Sequence, residues 1–171
     1  MVIKTIDKFK SKRIIFQLRD EKSTIRSSSI VPTLKKIVSK IDEGFKGITV
    51  IRYLQTPFVS TSILDEAISS LIINNSDTAC GVELIDEIVY KRSQFGLELI
   101  SSQYDAVRSD FDNLYKDSQT FLALRNSNLK KGSLKGPSMS CFEVSKEESF
   151  FIKSKRDLEV ANILLKNAKI I

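Results

Sequence analysis

The sequence predicts an α/β fold built on a parallel sheet. Short β-branched runs alternate with helical apolar patterns in a β-α-β-α-β order, which favours parallel strands joined by right-handed crossovers. The chain has 171 residues, of which 42% are hydrophobic, with only 6 Gly and 3 Pro, so it can bury a core. We therefore expect one domain over residues 1–171.

The first strand is expected at Arg13–Leu18, an apolar run that precedes a polar loop. A helix should follow, with Ser29 as its N-cap and Pro32 in its first turn, where the missing N–H does no harm. The second strand, Ile48–Leu54, is almost continuously apolar, as central parallel strands are.

The next helix is expected from about Ser62 to Asn74, because Ser62 and Asp65 have the spacing of a capping box. A third strand, Thr78–Leu84, completes the alternating pattern. After it the rhythm changes, and the chain is expected to leave the sheet as a hairpin around Gly96.

The remaining elements are more widely spaced. Residues 101–118 are polar and predict a loop, before a strand at Thr120–Arg125 and a short helix at Asn126–Lys131. Ser140–Val144 is the last predicted strand. The final helix has Ser154 as its expected N-cap, with Asp157 at the third helical position.

Composition excludes several kinds of site. The chain has no histidine and only two cysteines, so a histidine base and a structural zinc site are both excluded. We interpret Cys80 and Cys141 as buried free thiols. The net charge of +6 is concentrated in the first 60 residues, where a solvated surface is favoured over a phosphate-binding one. Without an arginine-rich tract or a stacking platform, nucleic-acid binding is not expected.

The sequence also shows no recognisable membrane-spanning or secretory segment. No run approaches the roughly 18 to 20 apolar residues that span a bilayer, and the N-terminus lacks the apolar stretch of a secretory signal. We expect a cytoplasmic protein that does not enter a membrane.

Several segments, taken in their order along the chain, resemble the acylneuraminate cytidylyltransferase family, which activates sialic acids and related acidic sugars as CMP-sugars. The resemblance covers roughly residues 13 to 168. The segments are Arg19-Asp-Glu-Lys-Ser23, Leu54-Gln-Thr-Pro-Phe-Val-Ser60, Ile63-Leu-Asp-Glu-Ala-Ile68, Tyr115–Arg125, Gly132-Ser-Leu-Lys-Gly136, Phe142-Glu-Val-Ser-Lys-Glu-Glu-Ser149 and Lys155-Arg-Asp-Leu-Glu-Val-Ala161.

The resemblance implies a Rossmann-like, three-layer α/β/α nucleotidyltransferase fold. It also implies that the hairpin region, about residues 86–118, is the excursion with which family members dimerise. The family opens with a glycine-rich phosphate loop that has no counterpart before Arg19. We therefore expect an N-terminally incomplete form of the fold.

The family reaction joins a sugar hydroxyl to the α-phosphate of CTP, and it needs groups that spread the negative charge of the transition state. Where the family places an Asp-X-Asp magnesium pair, this chain has Phe151 and Lys153, and neither side chain can ligate Mg²⁺. Ser118 and Gln119 replace the family's Asn-Gly pair near the substrate. The resemblance thus implies Mg²⁺ as a cofactor only if the family activity is retained, and none for this chain alone.

Three inherited positions are candidates for substrate binding. Gln55 lies at the carboxyl end of a predicted strand, where ligands of open α/β sheets bind, although an exposed turn glutamine is an equal alternative. Arg19 and Ser29 correspond to loop residues on the nucleotide side, but a loop arginine and an N-cap serine need no ligand to explain them. No catalytic residue and no metal ligand is assigned.

Two hypotheses follow. The first is a cytidylyltransferase-family protein, related to enzymes that make CMP-activated acidic sugars from CTP, that is inactive alone. The second is a non-catalytic pairing partner in surface-glycan biosynthesis. Because an incomplete sheet exposes apolar surface, we expect a homo-oligomer, or a hetero-oligomer with a complete synthetase.

Overall fold

The computed structural model describes residues 13–15, 17–19, 28–100 and 114–168. Helices and strands alternate over much of this part of the chain. The helices are α1 (Val31–Ile41), α2 (Thr61–Ile73), α3 (Asn126–Lys131) and α4 (Lys155–Ala168). The strands are β1 (Ile48–Arg52), β2 (Thr78–Leu84), β3 (Tyr90–Ser93), β4 (Gly96–Leu99), β5 (Tyr115–Arg125) and β6 (Met139–Glu143).

The chain divides into two compact units, one of Met1–Gly47 with Asn126–Leu134, the other of Ile48–Arg125 with Lys135–Ile171. Two compact units can form one domain, so the expectation of a single domain stays a prediction. In the first unit, Asp42 follows α1 and accepts hydrogen bonds from Asn126 Nδ2 at 2.8 Å and from the Gly47 amide at 2.7 Å. These hydrogen bonds hold the pKa of Asp42 below its ordinary value, and the bond from Asn126 has the larger effect.

The second unit contains a four-stranded sheet in the order β1-β5-β2-β6. β6 pairs with β2 in parallel, whereas β5 lies antiparallel between β1 and β2. The predicted α/β class is confirmed, but the expectation of a wholly parallel sheet is wrong at β5, and β1 lies at the edge of the sheet. An apolar run indicates burial and carries no information about strand direction.

The core lies between α2 and one face of the sheet. Residues four apart on α2 are buried against small and aromatic side chains of the strands. Fully burying a leucine such as Leu71 contributes about 1.5–3 kcal/mol. The buried cluster comprises Val59, Ile63, Ala67, Leu71, Ala79, Phe121, Ala123 and Val144.

Helix starts differ by one or two residues from the sequence prediction. α2 is capped by Ser60, whose Oγ accepts from the Ile63 amide at 3.4 Å, and not by Ser62. The N-cap of α1 is Ile30, and Ser29 Oγ instead accepts from the Val31 amide at 3.2 Å. A capping side chain usually bonds the second or third helical amide. The proline in this first turn has no amide to offer.

The strand expected at Arg13–Leu18 is not formed at the described positions of that segment. Ile15 is 69% and Leu18 is 68% exposed. β-propensity alone does not make a strand, because a strand also depends on side-chain packing against neighbouring strands.

The predicted hairpin is confirmed as the two-stranded sheet of β3 and β4, with Gly96 at a φ of +120°. Of the loop expected at 101–118, residues 101–113 lie outside the described part. β5 starts at Tyr115, five residues before the predicted start of the strand. The start of β5 is exposed and carries charged residues. The sequence pattern there therefore resembled that of a polar loop.

The two cysteines occupy paired positions of β2 and β6, and only Cys80 is buried. The expectation that Cys141 is also buried is wrong, because β6 alternates exposed and covered positions. Burial raises the pKa of Cys80, and the nearby charges of Asp117 and Cys141 raise it further. Among the helices of the described residues, none has the length and apolar character needed to cross a bilayer.

Candidate functional site

A polar cleft of about 460 Å³ opens in the second unit, between the end of β2, the start of β5 and the segment that leads into α4. Four of its lining residues are the positions that the family resemblance places at the substrate and the metal: Ser118, Gln119, Phe151 and Lys153. They come from segments more than 30 residues apart, and the fold brings them together. The other lining residues are Glu83, Lys116, Asp117, Ser149 and Asp157.

An irregularity in the β2–β5 ladder shapes one wall of this cleft. Cys80 pairs with Leu122, but Val82 pairs with Asp117, so four residues of β5 face the single Gly81. Such bulges turn side chains away from the regular strand direction.

Gln119 lies within this bulge with a φ of +56°, in the left-handed region that favours glycine. Its amide donates to Asp117 Oδ1 at 2.9 Å, which closes a tight local turn. The backbone at Gln119 therefore has a shape that glycine adopts without strain.

Gly81 makes the bulge possible. Ser118 Oγ donates to the Gly81 carbonyl at 2.7 Å and lies 2.8 Å from Thr120 Oγ1, so the two hydroxyls fill the space over the glycine. A Cβ on Gly81 would lie 2.8 Å from Thr120 Oγ1 and 2.9 Å from both Ser118 Oγ and Val144 Cγ1. The wall of the cleft therefore depends on a residue without a side chain.

The carboxylates of the cleft already have partners. Glu83 pairs with Lys116 at 3.1 Å, and Asp117 lies 3.9 Å from Lys135. Asp157 accepts from the amides of Lys153 at 2.9 Å and of Ser154 at 2.8 Å. The lining has three acids, Glu83, Asp117 and Asp157, and two lysines, so it has a small net negative charge, which the neighbouring Lys135 offsets.

Asp157 also forms the capping box that the sequence predicted. Its amide donates to Ser154 Oγ at 3.2 Å while its carboxylate accepts from the Ser154 amide. The amide of Lys153 and the contacts with Ser154 hold the pKa of Asp157 below its ordinary value. This carboxylate therefore serves the start of α4 as well as the cleft wall.

Phe151 and Lys153, which the resemblance aligns with the family's magnesium pair, lie next to each other in the cleft. Lys153 Nζ lies 5.6 Å from the centroid of the Phe151 ring, a cation–π contact in which the ammonium is exposed and the ring is half-buried. Across the described ranges, no three His, Cys, Asp or Glu side chains are grouped so as to hold a metal ion.

The candidate residue Gln55 follows β1 and is exposed, and its carbonyl accepts from the Ile152 amide at 2.9 Å. This bond joins the loop after β1 to the segment that carries Phe151 and Lys153. Arg19, half-buried, and Ser29, exposed, belong to the first unit. Residues 20–23 of the motif that begins at Arg19 lie outside the described part.

Sequence reasoning missed Glu83 and Ser149 as cleft residues and treated Asp157 only as a capping residue. A carboxylate at the end of a strand was the available signal for Glu83. For Gly81, a glycine inside a strand pattern was the available signal of a bulge.

No protein-family model matches the sequence, and no curated protein matches it. Solved structures similar to this chain include 4-diphosphocytidyl-2C-methyl-D-erythritol synthase from Anaerococcus prevotii, with 13% identity and a TM-score of 0.48 over 80% of this chain and 77% of that one. Another is 2-C-methyl-D-erythritol 4-phosphate cytidylyltransferase from Thermus thermophilus, with 13% identity and a TM-score of 0.49 over 80% and 69%. A further 4-diphosphocytidyl-2C-methyl-D-erythritol synthase has 12% identity and a TM-score of 0.48 over 80% and 67%. At this identity the likeness says nothing of what the present chain binds or converts.

Proposed function

We propose that this chain is a cytidylyltransferase-related protein, of the kind that makes CMP-activated acidic sugars, that does not turn over CTP by itself. The observation that carries the proposal is the cleft in which Ser118, Gln119, Phe151 and Lys153 meet. These are the positions at which the family resemblance places substrate and metal, and the residues now present cannot clamp a metal-bound triphosphate.

Charge supports the same conclusion. CTP brings several negative charges, which a magnesium ion and surrounding cations must offset in the transition state. In this cleft Lys116 is paired with Glu83. The exposed Lys153 makes a cation–π contact with Phe151, and Asp157 lines the same cleft. The lining residues therefore have no excess of positive charge that could replace a divalent ion.

The proposal is tested by supplying the purified chain with CTP, Mg²⁺ and a sialic acid and measuring pyrophosphate release and CMP-sugar formation. Neither product is expected above the blank. CMP-sugar formation that EDTA abolishes would overturn the proposal.

A gain-of-function variant tests the physical reason. Phe151→Asp with Lys153→Asp restores the carboxylate pair, and we expect it to bind Mn²⁺, as measured by electron paramagnetic resonance. The matched control is Phe151→Ser with Lys153→Ser, which removes the ring and the ammonium without adding ligands and should not bind Mn²⁺. Equal binding by both variants would show that the positions do not form a metal site.

The second candidate function is pairing through the hairpin of β3 and β4, which we propose as the surface that meets a second copy or a complete synthetase. Phe95 is 99% and Leu97 is 73% exposed on this hairpin, an unusual display of large apolar side chains. Light scattering should show self-association that Phe95→Ser with Leu97→Ser abolishes. Glu98→Gln on the same hairpin is the control and should associate like the wild type. A wild-type chain that stays monomeric, alone and with the synthetase, would refute this candidate.

A further inference from the structure

Three sulfur atoms come together on the β2–β6 pair, outside the polar cleft. We call Cys80, Met139 and Cys141 the sulfur cluster. Cys80 pairs directly with Cys141 in the parallel ladder. Paired strand residues lie about 4.8 Å apart, and alternate residues such as Met139 and Cys141 share a face of the sheet. All three side chains therefore leave the same face.

The distances and burial of the sulfur cluster fit a small ligand. Cys80 Sγ lies 4.0 Å from Met139 Sδ, and both cysteines are free of disulfides. Cys80 is 2% exposed, whereas Met139 is 53% exposed and Cys141 is exposed. The cluster thus has a buried floor and an opening to solvent through which an ion could enter.

The chemistry of the donors selects the ion. Thiolate and thioether sulfur are soft ligands that favour Cu(I), whereas Mg²⁺ and Ca²⁺ require oxygen donors. A structural zinc site needs four Cys or His ligands, and the chain has two cysteines and no histidine. Two cysteines and one methionine provide three soft sulfur ligands, which suit a soft monovalent ion of low coordination number.

We propose that the sulfur cluster binds one Cu(I) ion between the sulfurs of Cys80 and Cys141, with the Met139 thioether as the third ligand. The two thiols release their protons to the solvent as the copper–sulfur bonds form, and the copper remains Cu(I) throughout. This site is independent of the proposed relation to CMP-sugar synthetases, because none of its residues lines the polar cleft.

The test uses the full chain, reduced and kept under anaerobic conditions, titrated with Cu(I) that is buffered by a chromophoric chelator. We expect one equivalent to transfer to the protein, and X-ray absorption should show sulfur scatterers around copper. Removing a group that only hydrogen-bonds to a metal ligand lowers metal affinity by about 10–100-fold. Removing a ligand itself should cost at least as much, so Cys141→Ser should weaken Cu(I) binding by about 100-fold or more. Met139→Leu, which keeps the apolar bulk, should weaken it by about 10-fold.

Glu143→Gln is the matched control, because Glu143 is an exposed residue on the same face of β6 and should leave the affinity unchanged. Circular dichroism checks that each variant is folded, and Cys141 is suited to replacement because it is exposed. The proposal is overturned if the wild type takes up no Cu(I), if folded Cys141→Ser binds as tightly as wild type, or if an equal concentration of Zn²⁺ displaces the copper.

Discussion

Replacing Gly81 by alanine tests whether the bulge in β5 requires a residue without a side chain. The new methyl group would meet Thr120 Oγ1, Ser118 Oγ and Val144 Cγ1, all at less than 3.0 Å. Overpacking of this kind costs about 1–3 kcal/mol. Displacing Ser118 also weakens its 2.7 Å hydrogen bond to the Gly81 carbonyl, at a cost of about 0.5–1.5 kcal/mol.

One effect opposes this loss, because alanine loses less backbone entropy than glycine on folding, by about 0.5–1 kcal/mol. The net expectation is a destabilisation of about 2 kcal/mol, at the middle of the range for overpacking. With a urea dependence of about 1–3 kcal/mol per molar, the unfolding midpoint should fall by about 1 M. Circular dichroism during urea titration measures this shift.

Gly44→Ala is the control for this experiment. The three atoms nearest to a Cβ at Gly44 belong to the flexible Lys46 side chain, at 3.4 to 3.5 Å, so a change within about 0.5 kcal/mol is expected. If Gly81→Ala stayed within that same margin, the close-packed wall inferred for the cleft would be wrong.

Three further predictions concern local features of the chain. Gln119→Gly should be more stable than Gln119→Ala by about 1 kcal/mol in urea titrations, because only glycine adopts the φ of +56° without strain; equal stabilities would argue against strain. Ser154→Ala should cost about 1 kcal/mol through the lost cap of α4, whereas Ser154→Thr should retain most of it; identical losses would exclude a capping role. The carboxyl group of Asp42 has a lowered pKa in the folded state, so its stabilisation is complete above the unfolded pKa of about 4 and is lost as the pH falls through the folded value. Urea midpoints between pH 6 and pH 3 should therefore decline more steeply for the wild type than for Asp42→Asn, and parallel curves would contradict the assignment.

Much of the second unit could be predicted from short-range signals. The bounds of β2 match the prediction, as do those of α3 in the first unit, and the capping box of Ser154 and Asp157 is formed as its spacing indicates. These features depend on residues within a few positions of one another, so periodicity and turn chemistry suffice to find them.

The candidate site was harder to predict. The family resemblance singled out Phe151 and Lys153 together with Ser118 and Gln119, and these positions do line one cleft. The same reasoning could not reveal that Glu83 lies beside them with its charge paired, because that contact joins residues 33 positions apart in the chain.

By itself, the sequence determined where most helices and strands form, and which residue types were missing for a structural zinc site and for histidine chemistry. Only the tertiary structure decided that β5 runs against its neighbours, that four of its residues face Gly81, and that Cys80 pairs with Cys141. The physical reason is that helix caps and apolar periodicity are local, whereas strand direction and register depend on pairing between residues that are 31 to 77 positions apart. Such pairing is settled by which faces can be buried together when the whole sheet assembles.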